Sequence, residues 1–325
     1  MNSAQPTVVV ALQQFCSGDP APLNLLKHAG IAVRLNDLGR RMQPEDLKGR
    51  LAGADAVIAG VETYPAALLK SLPRLKLISR CGVGTDAIDL EACRRLGIEV
   101  RTTPEETVTP VAEMTVAMIL ALARNLPLHI TESNSGQWKK RMGHLLSEWT
   151  IGIVGLGRIG RAVAHLLSGF GPRIIAVDPL LQPAGCPAYV EISLWGDLLR
   201  QADCVSLHVS RRPEEGPLLG PNEFREMKKG ACLVNTARGF LIDEHALEES
   251  LRTGHIAGAA LDVFASEPYQ GPLSKHPNCI LTPHVSTLTK SSRMAMELKA
   301  AQHVVDFFSG VRGQRDPVLF QFEGR

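Results

Sequence analysis

Residues 150–160, which read TIGIVGLGRIG, constrain the fold of this chain more than any other segment. The apolar run at the start predicts a buried strand, the glycines predict a tight turn, and the pattern from Arg158 onwards predicts a helix. Gly155 permits the turn, Gly157 lets the backbone approach a pyrophosphate, and Gly160 lets the helix pack closely on the strand. Free N–H groups at the N-terminus of that helix favour negative charge, so the segment predicts a dinucleotide-binding site.

A carboxylate follows the next predicted strand, residues 173–177. Asp178, at the end of that strand, can accept hydrogen bonds from both ribose hydroxyls of the adenosine, and it repels a 2′-phosphate. These properties predict NAD as the cofactor and make NADP the less favoured choice. A glycine motif alone is a weak signal, and the alternative is a glycine-rich turn in another kind of α/β protein.

Strand-like and helix-like segments alternate along the whole chain, which predicts an α/β architecture with parallel sheets. The predicted strands are 7–12, 31–35, 54–59, 75–80 and 98–101, followed by 150–154, 173–177, 203–209, 231–235, 256–263 and 279–282. The predicted helices include 45–51, 66–72, 90–96, 158–168 and 243–253, with longer ones at about 111–126 and 290–308. A length of 325 residues fits two domains. The strands that start from the glycine motif fit a complete Rossmann fold.

Composition and charge exclude several classes of partner. The chain has 35 basic and 33 acidic residues and a net charge of +2, which gives no basic footprint for nucleic acid or an anionic membrane. Its seven cysteines form no CxxC or Cys/His cluster, so neither a metal site nor a disulfide framework is predicted. No signal peptide is visible, and the apolar helix near 110–126 is predicted to be too short and too polar to span a bilayer. We therefore expect a soluble cytoplasmic protein.

Three polar side chains each follow a predicted strand of the second half, where doubly wound sheets bind their ligands. Arg238 could hold a carboxylate through two parallel hydrogen bonds. Glu267 could favour the protonated form of a neighbouring imidazole, and His284 supplies one. Imidazole has an ordinary pKa of about 6.5, which suits it to proton transfer near neutral pH. Taken singly, Arg238 fits a surface salt bridge and His284 a structural role, so the hypothesis of hydride transfer to a carbonyl depends on their joint occurrence.

Several motifs follow one another in the order of the D-isomer-specific 2-hydroxyacid dehydrogenase family, which this chain resembles over nearly its whole length. They read GVGTDAID at 82–89, VAE at 111–113, GLGRIG at 155–160 with Asp178, NTARG at 235–239, LDVFASEP at 261–268 and TPH at 282–284. The resemblance implies an NAD-dependent enzyme that interconverts a small D-2-hydroxy acid and its 2-oxo acid by hydride transfer. It also implies that Arg238, Glu267 and His284 are the catalytic residues, with His284 as general acid and base.

The resemblance further assigns residues to the cofactor and to the substrate. The implied cofactor contacts are Gly155, Gly157, Arg158, Ile159, Gly160, Asp178, Val209, Thr236, Ala237 and Asp262. Asp262 would bind the nicotinamide carboxamide. Val83 and Gly84 would donate backbone N–H groups to a small-molecule substrate whose carboxylate Arg238 also holds.

The fold that the resemblance implies has two doubly wound parallel-sheet domains. A Rossmann NAD-binding domain, residues 107–287, is inserted in a flavodoxin-like substrate-binding or lid domain, residues 1–106 and 288–325. The family resemblance also implies a homodimer that forms through the cofactor domain, and we expect the helix at 111–126 to contribute to the contact.

The substrate stays open where the chain departs from the family pattern. Phosphoglycerate dehydrogenases, the branch that this chain resembles as a short form without a regulatory domain, tend to carry an arginine in the loop after the third strand. That loop reads GVET at 60–63, and Glu62 has the wrong charge for a phosphate, so D-3-phosphoglycerate is kept as an alternative. Ser286 stands where glycine or alanine is frequent, and Arg211 and Arg212 could approach a cofactor phosphate. A different class, an NAD(H)-sensing binding protein like the transcriptional corepressors of this fold, also stays open.

Overall fold

Two all-parallel sheets form the frame of the chain, one of five strands and one of seven. The computed structural model describes residues 5–181, 185–210 and 213–310. The chain divides into two units, one made of Met1–Thr107 with Leu288–Arg325 and the other of Val108–Thr287. Each unit has its own apolar cores on the two faces of its sheet, because alternate residues of a strand point to opposite faces.

The first unit contains the five-stranded sheet. Its strands are β1 (Thr7–Val10), β2 (Ala32–Arg34), β3 (Ala56–Ala59), β4 (Leu77–Arg80) and β5 (Glu99–Thr102). The helices that connect them are α1 (Ala21–His28), α2 (Pro44–Arg50), α3 (Ala66–Lys70) and α4 (Leu90–Leu96). The order across the sheet is β2-β1-β3-β4-β5, which confirms the flavodoxin-like topology.

The last helix of the second half of the chain also belongs to this first unit. Helix α11 (Lys290–Phe308) begins after Thr289, whose side chain accepts a hydrogen bond from the Ser292 N–H and caps the helix. The hydroxyl of Ser79 in β4 donates to the carbonyl oxygen of Ala300 at 3.0 Å. These contacts fix the returning helix against the five-stranded sheet.

The second unit contains the seven-stranded sheet. Its strands are β6 (Thr150–Val154), β7 (Arg173–Val177), β8 (Glu191–Ile192), β9 (Cys204–Leu207), β10 (Ala231–Asn235), β11 (Ile256–Leu261) and β12 (Cys279–Leu281). Its helices are α5 (Val108–Ala123), α6 (Leu126–Asn134), α7 (Arg158–Ser168), α8 (Trp195–Gln201), α9 (Pro221–Glu226) and α10 (Glu244–Arg252). Helices α5 and α7 pack together over one face of the sheet.

The strand order β12-β11-β10-β9-β6-β7-β8 confirms the Rossmann topology. Counted from β6, it is the order 3-2-1-4-5-6 of that fold, with one further strand at an edge. The sequence did not predict β8, because its two residues, Glu191 and Ile192, are both exposed and form no apolar run. The reversal of strand order falls between β6 and β9, which is where this fold binds its ligand.

One expectation about α5 was wrong. Within the described residues, the helical stretch Glu105–Ala123, which has 19 residues, is long and apolar enough to cross a membrane by length and composition alone. The sequence pattern instead predicts a segment too short and too polar for that. In the structure 56% of the stretch is buried inside the protein, as in the core helix of a folded unit.

Candidate functional site

The glycine turn lies at the point where the strand order reverses. Gly155 follows β6 with a φ of 91°, a conformation that residues with a side chain rarely adopt. A Cβ atom at Gly155 would lie 2.7 Å from the carbonyl oxygen of His208 and 2.8 Å from Cγ1 of Val209. A Cβ at Gly160 would lie 2.0 Å from the Gly155 oxygen. Only glycine therefore lets the turn pack against both α7 and the end of β9.

The N-terminus of α7 is open. Gly157 is its N-cap residue, and no side chain caps the first turn. A Cβ at Gly157 would meet nothing within 4 Å, in contrast to the crowding at the other two glycines of the motif. Arg158, which is exposed, and Ile159, which is half-buried, form the first turn itself. Uncapped N–H groups beside open space are the features that suit a pyrophosphate.

Asp178 follows β7 and contacts the glycine turn. Its Oδ2 accepts a hydrogen bond from the Leu156 N–H at 2.8 Å, and its Oδ1 accepts one from the Leu180 N–H at 2.9 Å. A carboxylate oxygen has two lone pairs, so each oxygen can accept a further bond from a ribose hydroxyl. The backbone bonds fix the direction of the carboxylate before any ligand binds.

Arg238 lies in a loop that its own neighbours hold. Asn235, the last residue of β10, is fully buried, and its Oδ1 accepts from the Ala237 N–H at 3.0 Å while its Nδ2 donates to the Arg238 carbonyl at 2.8 Å. A Cβ at Gly239 would lie 1.9 Å from the carbonyl carbon of Phe264. The loops after β10 and β11 are therefore in direct backbone contact, which requires a glycine.

Thr236 in the same loop is tied to α5. Its hydroxyl lies 2.8 Å from the hydroxyl of Thr115, which also bonds the Val111 carbonyl inside the helix. Thr236 is mostly buried, whereas Ala237 is half-buried. The core helix thus holds Thr236, one of the residues that the family resemblance assigns to the cofactor.

Glu267 and His284 form the pair that the sequence predicted. Nδ1 of His284 donates to Oε2 of Glu267 at 3.0 Å, and Oε1 of Glu267 accepts from the Phe264 N–H at 3.2 Å. Their side chains are 39% and 47% exposed, so a small molecule can reach them. Because Nδ1 faces the carboxylate, Nε2 is the ring nitrogen that can exchange a proton with a substrate.

Asp262 has a structural role that the sequence did not predict. Its side chain is fully buried, and Oδ1 accepts from the Thr282 hydroxyl at 2.5 Å and the Val285 N–H at 2.9 Å. Oδ2 accepts from the Ser286 N–H at 2.9 Å and the Ser286 hydroxyl at 2.5 Å. The carboxylate therefore holds the loop around His284. Its contact with a cofactor stays a prediction.

Val83 and Gly84 lie in the first unit, in the loop after β4. The Arg80 Nε donates to the Gly84 carbonyl at 3.2 Å, and Gly82 exchanges hydrogen bonds with Thr103 at 2.7 and 3.0 Å. Sequence reasoning missed Arg80, although its position at the end of β4 marked it as a candidate. The proposed contact of this loop with a substrate stays a prediction.

Glu62, in the neighbouring loop after β3, turns inward. It is buried, with 4% of its surface exposed, and its Oε2 accepts from the Gly60 N–H at 2.7 Å. The carboxylate thus supports the loop from within, and the loop carries no basic side chain of its own. Arg211 and Arg212, the candidate contacts for a cofactor phosphate, lie outside the described residues.

His208 is a further residue that sequence reasoning missed. It follows β9 at the switch point, and its Nε2 lies 2.9 Å from the hydroxyl of Ser206. Burial lowers the pKa of His208 from 6.5 to about 3, so its imidazole is neutral at physiological pH. A histidine that ends an apolar strand beside the glycine turn was the available signal.

Among the described residues, no group of three or more His, Cys, Asp or Glu side chains could hold a metal ion.

The loops after β10, β11 and β12 therefore bring the predicted catalytic residues to one edge of the seven-stranded sheet. The three strands are neighbours in the sheet, and Arg238, Glu267 and His284 follow them in turn. A guanidinium, a carboxylate and an imidazole in this arrangement can hold a carboxylate ligand and move a proton.

Comparison with known proteins places the chain in a family. A family model for the NAD-binding domain of D-isomer-specific 2-hydroxyacid dehydrogenases matches residues 116–286. Among curated proteins, the chain is 35% identical over 297 residues to D-3-phosphoglycerate dehydrogenase of Homo sapiens, covering 90% of this chain and 55% of that protein. The chain thus spans about half the length of the curated relatives it matches.

Two solved structures extend the comparison. The TT0316 protein from Thermus thermophilus superposes with a TM-score of 0.85 at 34% identity, over 94% of this chain and 97% of that chain. A glyoxylate reductase from Paecilomyes thermophila superposes with a TM-score of 0.84 at 27% identity, over 94% of this chain and 95% of that chain. These likenesses cover both units of the fold.

Proposed function

Because the chain belongs to the D-isomer-specific 2-hydroxyacid dehydrogenase family and carries its NAD-binding domain, we propose that it interconverts a small D-2-hydroxy acid and its 2-oxo acid. The observation that carries the proposal is the bond of 3.0 Å between His284 and Glu267. It lies on the loops that neighbour Arg238, at the ligand-binding edge of the sheet. Arg238, Glu267 and His284 are the proposed catalytic residues.

The switch point fits the cofactor. Open space at Gly157 and the uncapped first turn of α7 suit the pyrophosphate, and the Asp178 carboxylate suits the ribose hydroxyls of NAD. The proposed cofactor contacts are Gly155, Gly157, Arg158, Ile159, Gly160, Asp178, Val209, Thr236, Ala237 and Asp262. NADH, when bound, supplies the hydride for the reduction of the 2-oxo acid.

The chain's own residues do the rest of the chemistry. Arg238 holds the substrate carboxylate with two N–H donors, and its positive charge also polarises the carbonyl. The backbone N–H groups of Val83 and Gly84 are also proposed substrate contacts. His284 donates the proton on Nε2 to the carbonyl oxygen, while Glu267 holds Nδ1 and stabilises the protonated ring. In the oxidation direction, neutral His284 accepts the hydroxyl proton at the same atom.

Turnover tests the proposal. Purified protein with NADH should reduce at least one member of a panel of glyoxylate, pyruvate, hydroxypyruvate and phosphohydroxypyruvate, with NADH consumption followed by absorbance. Each product should be the D isomer where it is chiral. NADH binding without turnover of any 2-oxo acid would contradict the enzyme proposal and favour the NAD(H)-sensing alternative.

D-3-phosphoglycerate is a second candidate substrate. The curated relative at 35% identity bears that enzyme's name, which favours it. The buried Glu62 and the absence of a basic side chain in the loop 60–63 disfavour it. Comparing kcat/KM for hydroxypyruvate and its phosphate ester decides between them: preference for the ester supports the second candidate.

We also propose a homodimer that forms through the second unit. Helix α5 buries much of its surface inside this unit, whereas the segment that follows it exposes large apolar side chains, including Trp138 at 87% and Met142 at 91%. The double variant Trp138→Glu/Met142→Glu should be monomeric by light scattering. Leu194→Glu, at an exposed apolar position elsewhere in the unit, should keep the wild-type mass. A wild-type protein that is monomeric contradicts the proposal.

The cytoplasm is the proposed location. All seven cysteines are free thiols in the structure, which suits a reducing compartment. Intact cells are denatured without reductant in the presence of a maleimide. All seven thiols of the protein should then react with it. Disulfide-blocked thiols in that measurement would contradict the location.

A further inference from the structure

His284 has an unusual backbone. Its φ is 54°, and among the described residues it shares positive φ only with glycines, Cys16 and Asn125. A residue with a Cβ is disfavoured in this left-handed region, so the surrounding bonds must hold it there. The His284 N–H donates to the Thr282 carbonyl at 2.9 Å, which makes a very tight turn just before the imidazole.

The bonds that hold the turn converge on one buried carboxylate. We name the carboxylate of Asp262 and its donors in Thr282, Val285 and Ser286 the Asp262 clamp. Asp262 has no exposed surface and Ser286 only 5%, so water does not compete for these bonds. Hydroxyl donors at 2.5 Å to a carboxylate are short, charge-assisted hydrogen bonds of the strong class. The clamp therefore forms hydrogen bonds with residues on both sides of His284.

We propose that Ser286 is a positioning residue for proton transfer by His284, an inference that rests on the proposed function. Its hydroxyl and its N–H both bond Oδ2 of Asp262, so the side chain doubles the hold on the residue two places after His284. Glycine or alanine, which are frequent at this position in the family, cannot supply the hydroxyl. Ser286 therefore adds a restraint on His284 beyond the backbone bonds of the clamp.

The restraint acts on one bond exchange. In reduction, the N–H bond at Nε2 of His284 breaks and an O–H bond forms at the substrate oxygen, while the hydride from NADH completes the reduction at C2. A small displacement of an acid from its partner slows proton transfer steeply, by up to about a hundredfold for about 1 Å. The hydride depends on the cofactor site, which Ser286 reaches only through Asp262, and the bonds of that carboxylate to Thr282, to the Val285 N–H and to the Ser286 N–H remain when the hydroxyl is removed. Loss of the Ser286 hydroxyl should therefore slow proton transfer more than hydride transfer.

A solvent isotope effect separates this role from a general structural one. Ser286→Ala should lower kcat by about tenfold, keep the Kd of NADH and raise the effect of D2O on kcat, because proton transfer becomes more rate-limiting. Thr282→Val removes the other hydroxyl without changing the shape of the side chain. It should also lower kcat and raise the solvent isotope effect. Ser286→Thr, which keeps a hydroxyl, should recover most of kcat. Ser250→Ala, which removes a hydroxyl bonded to the Ala246 carbonyl in α10, should leave kcat and the solvent isotope effect at their wild-type values.

Each alternative outcome overturns the inference in a recognisable way. Wild-type kcat and isotope effect in Ser286→Ala would remove the residue from the reaction. A lower kcat with an unchanged isotope effect would mean a structural role only. Failure of the proposed function is seen in the wild-type protein, which would then reduce no 2-oxo acid, and that result would end both proposals. Failure of this inference alone is seen only in the variants of an active wild-type protein.

Discussion

The carboxyl ends of the two sheets use their polar groups differently. At the seven-stranded sheet, buried side chains such as Asn235 and Asp262 bond the loops beside them and thereby aim an arginine and a histidine. At the five-stranded sheet, the loop at 82–84 is held by Arg80 and Thr103, and its proposed contribution is backbone N–H groups alone. Side chains carry charge and protons, whereas backbone N–H groups only bind. The comparison therefore predicts that variants at the seven-stranded edge lower kcat, with or without a change in KM, whereas variants at the five-stranded edge change KM alone.

The largest expected effect belongs to the imidazole. His284→Ala should lower kcat by roughly a hundredfold or more, because general acid catalysis contributes about that much. NADH should bind with unchanged Kd. His276→Ala is a matched control, because Nε2 of His276 lies 3.3 Å from Glu248 in a second His–Glu pair of the same unit. Equal kcat values for the two variants would remove His284 from the proposed proton transfer.

Arg238→Lys should have the next largest effect. An ammonium cannot make two parallel bonds to a carboxylate, so kcat/KM for the 2-oxo acid should fall by about ten- to a hundredfold. Arg252→Lys, at an exposed ion pair with Glu249 in α10, should change nothing. A near-wild-type kcat/KM in Arg238→Lys would contradict the two-bond contact, and with it the claim that this edge holds the substrate.

Asp178→Ala should narrow the preference for NADH over NADPH by about tenfold, which corresponds to about 1.4 kcal/mol. The variant removes both the ribose acceptor and the repulsion of a 2′-phosphate. Asp178→Asn separates the two causes, because it removes the charge and keeps one acceptor oxygen for the Leu156 N–H. A preference that stays at the wild-type value in both variants would mean that another residue sets it.

Local signals predicted the elements whose neighbours in sequence determine them. Strand β6, helix α7 and helix α11 have the predicted bounds, and Asp243 caps α10 through bonds to the His245 and Ala246 N–H groups, as its position before the helix predicted. The strand predicted at 203–209 ends earlier, at Leu207, because the chain turns to meet Gly155. That contact depends on the neighbouring strand, which no local pattern encodes.

The same limit applies to the site. Positions at strand ends made Arg238, Glu267 and His284 candidates, and the structure places them on loops that follow neighbouring strands. The partners of Asp262 could not be predicted, because the register of β11 against β12 brings residues 282–286 to that carboxylate. The inward turn of Glu62 was equally invisible, since a charged residue in a loop ordinarily faces water.

The smallest predicted effect tests the loop at the carboxyl end of the five-stranded sheet. Gly82 has a φ of 135°, and a Cβ there would lie 2.7 Å from Nη1 of Arg80. Gly82→Ala should therefore shift the loop at 82–84 and raise the KM of the 2-oxo acid by about fivefold, equivalent to about 1 kcal/mol of strain. The shift is limited because the end of an arginine side chain can move, and kcat should stay near its wild-type value.

Gly97→Ala separates the contact from backbone strain alone. Gly97 has a φ of 68° at the end of α4, in the same unit, and a Cβ there would meet nothing within 4 Å. Both variants carry a side chain in the left-handed region, but only Gly82→Ala pushes on the substrate loop. Thermal unfolding should therefore change similarly in both, while KM rises only in Gly82→Ala. A fall in kcat with unchanged KM would instead place the five-stranded edge in the chemistry, and the division of labour between the two sheets would no longer hold.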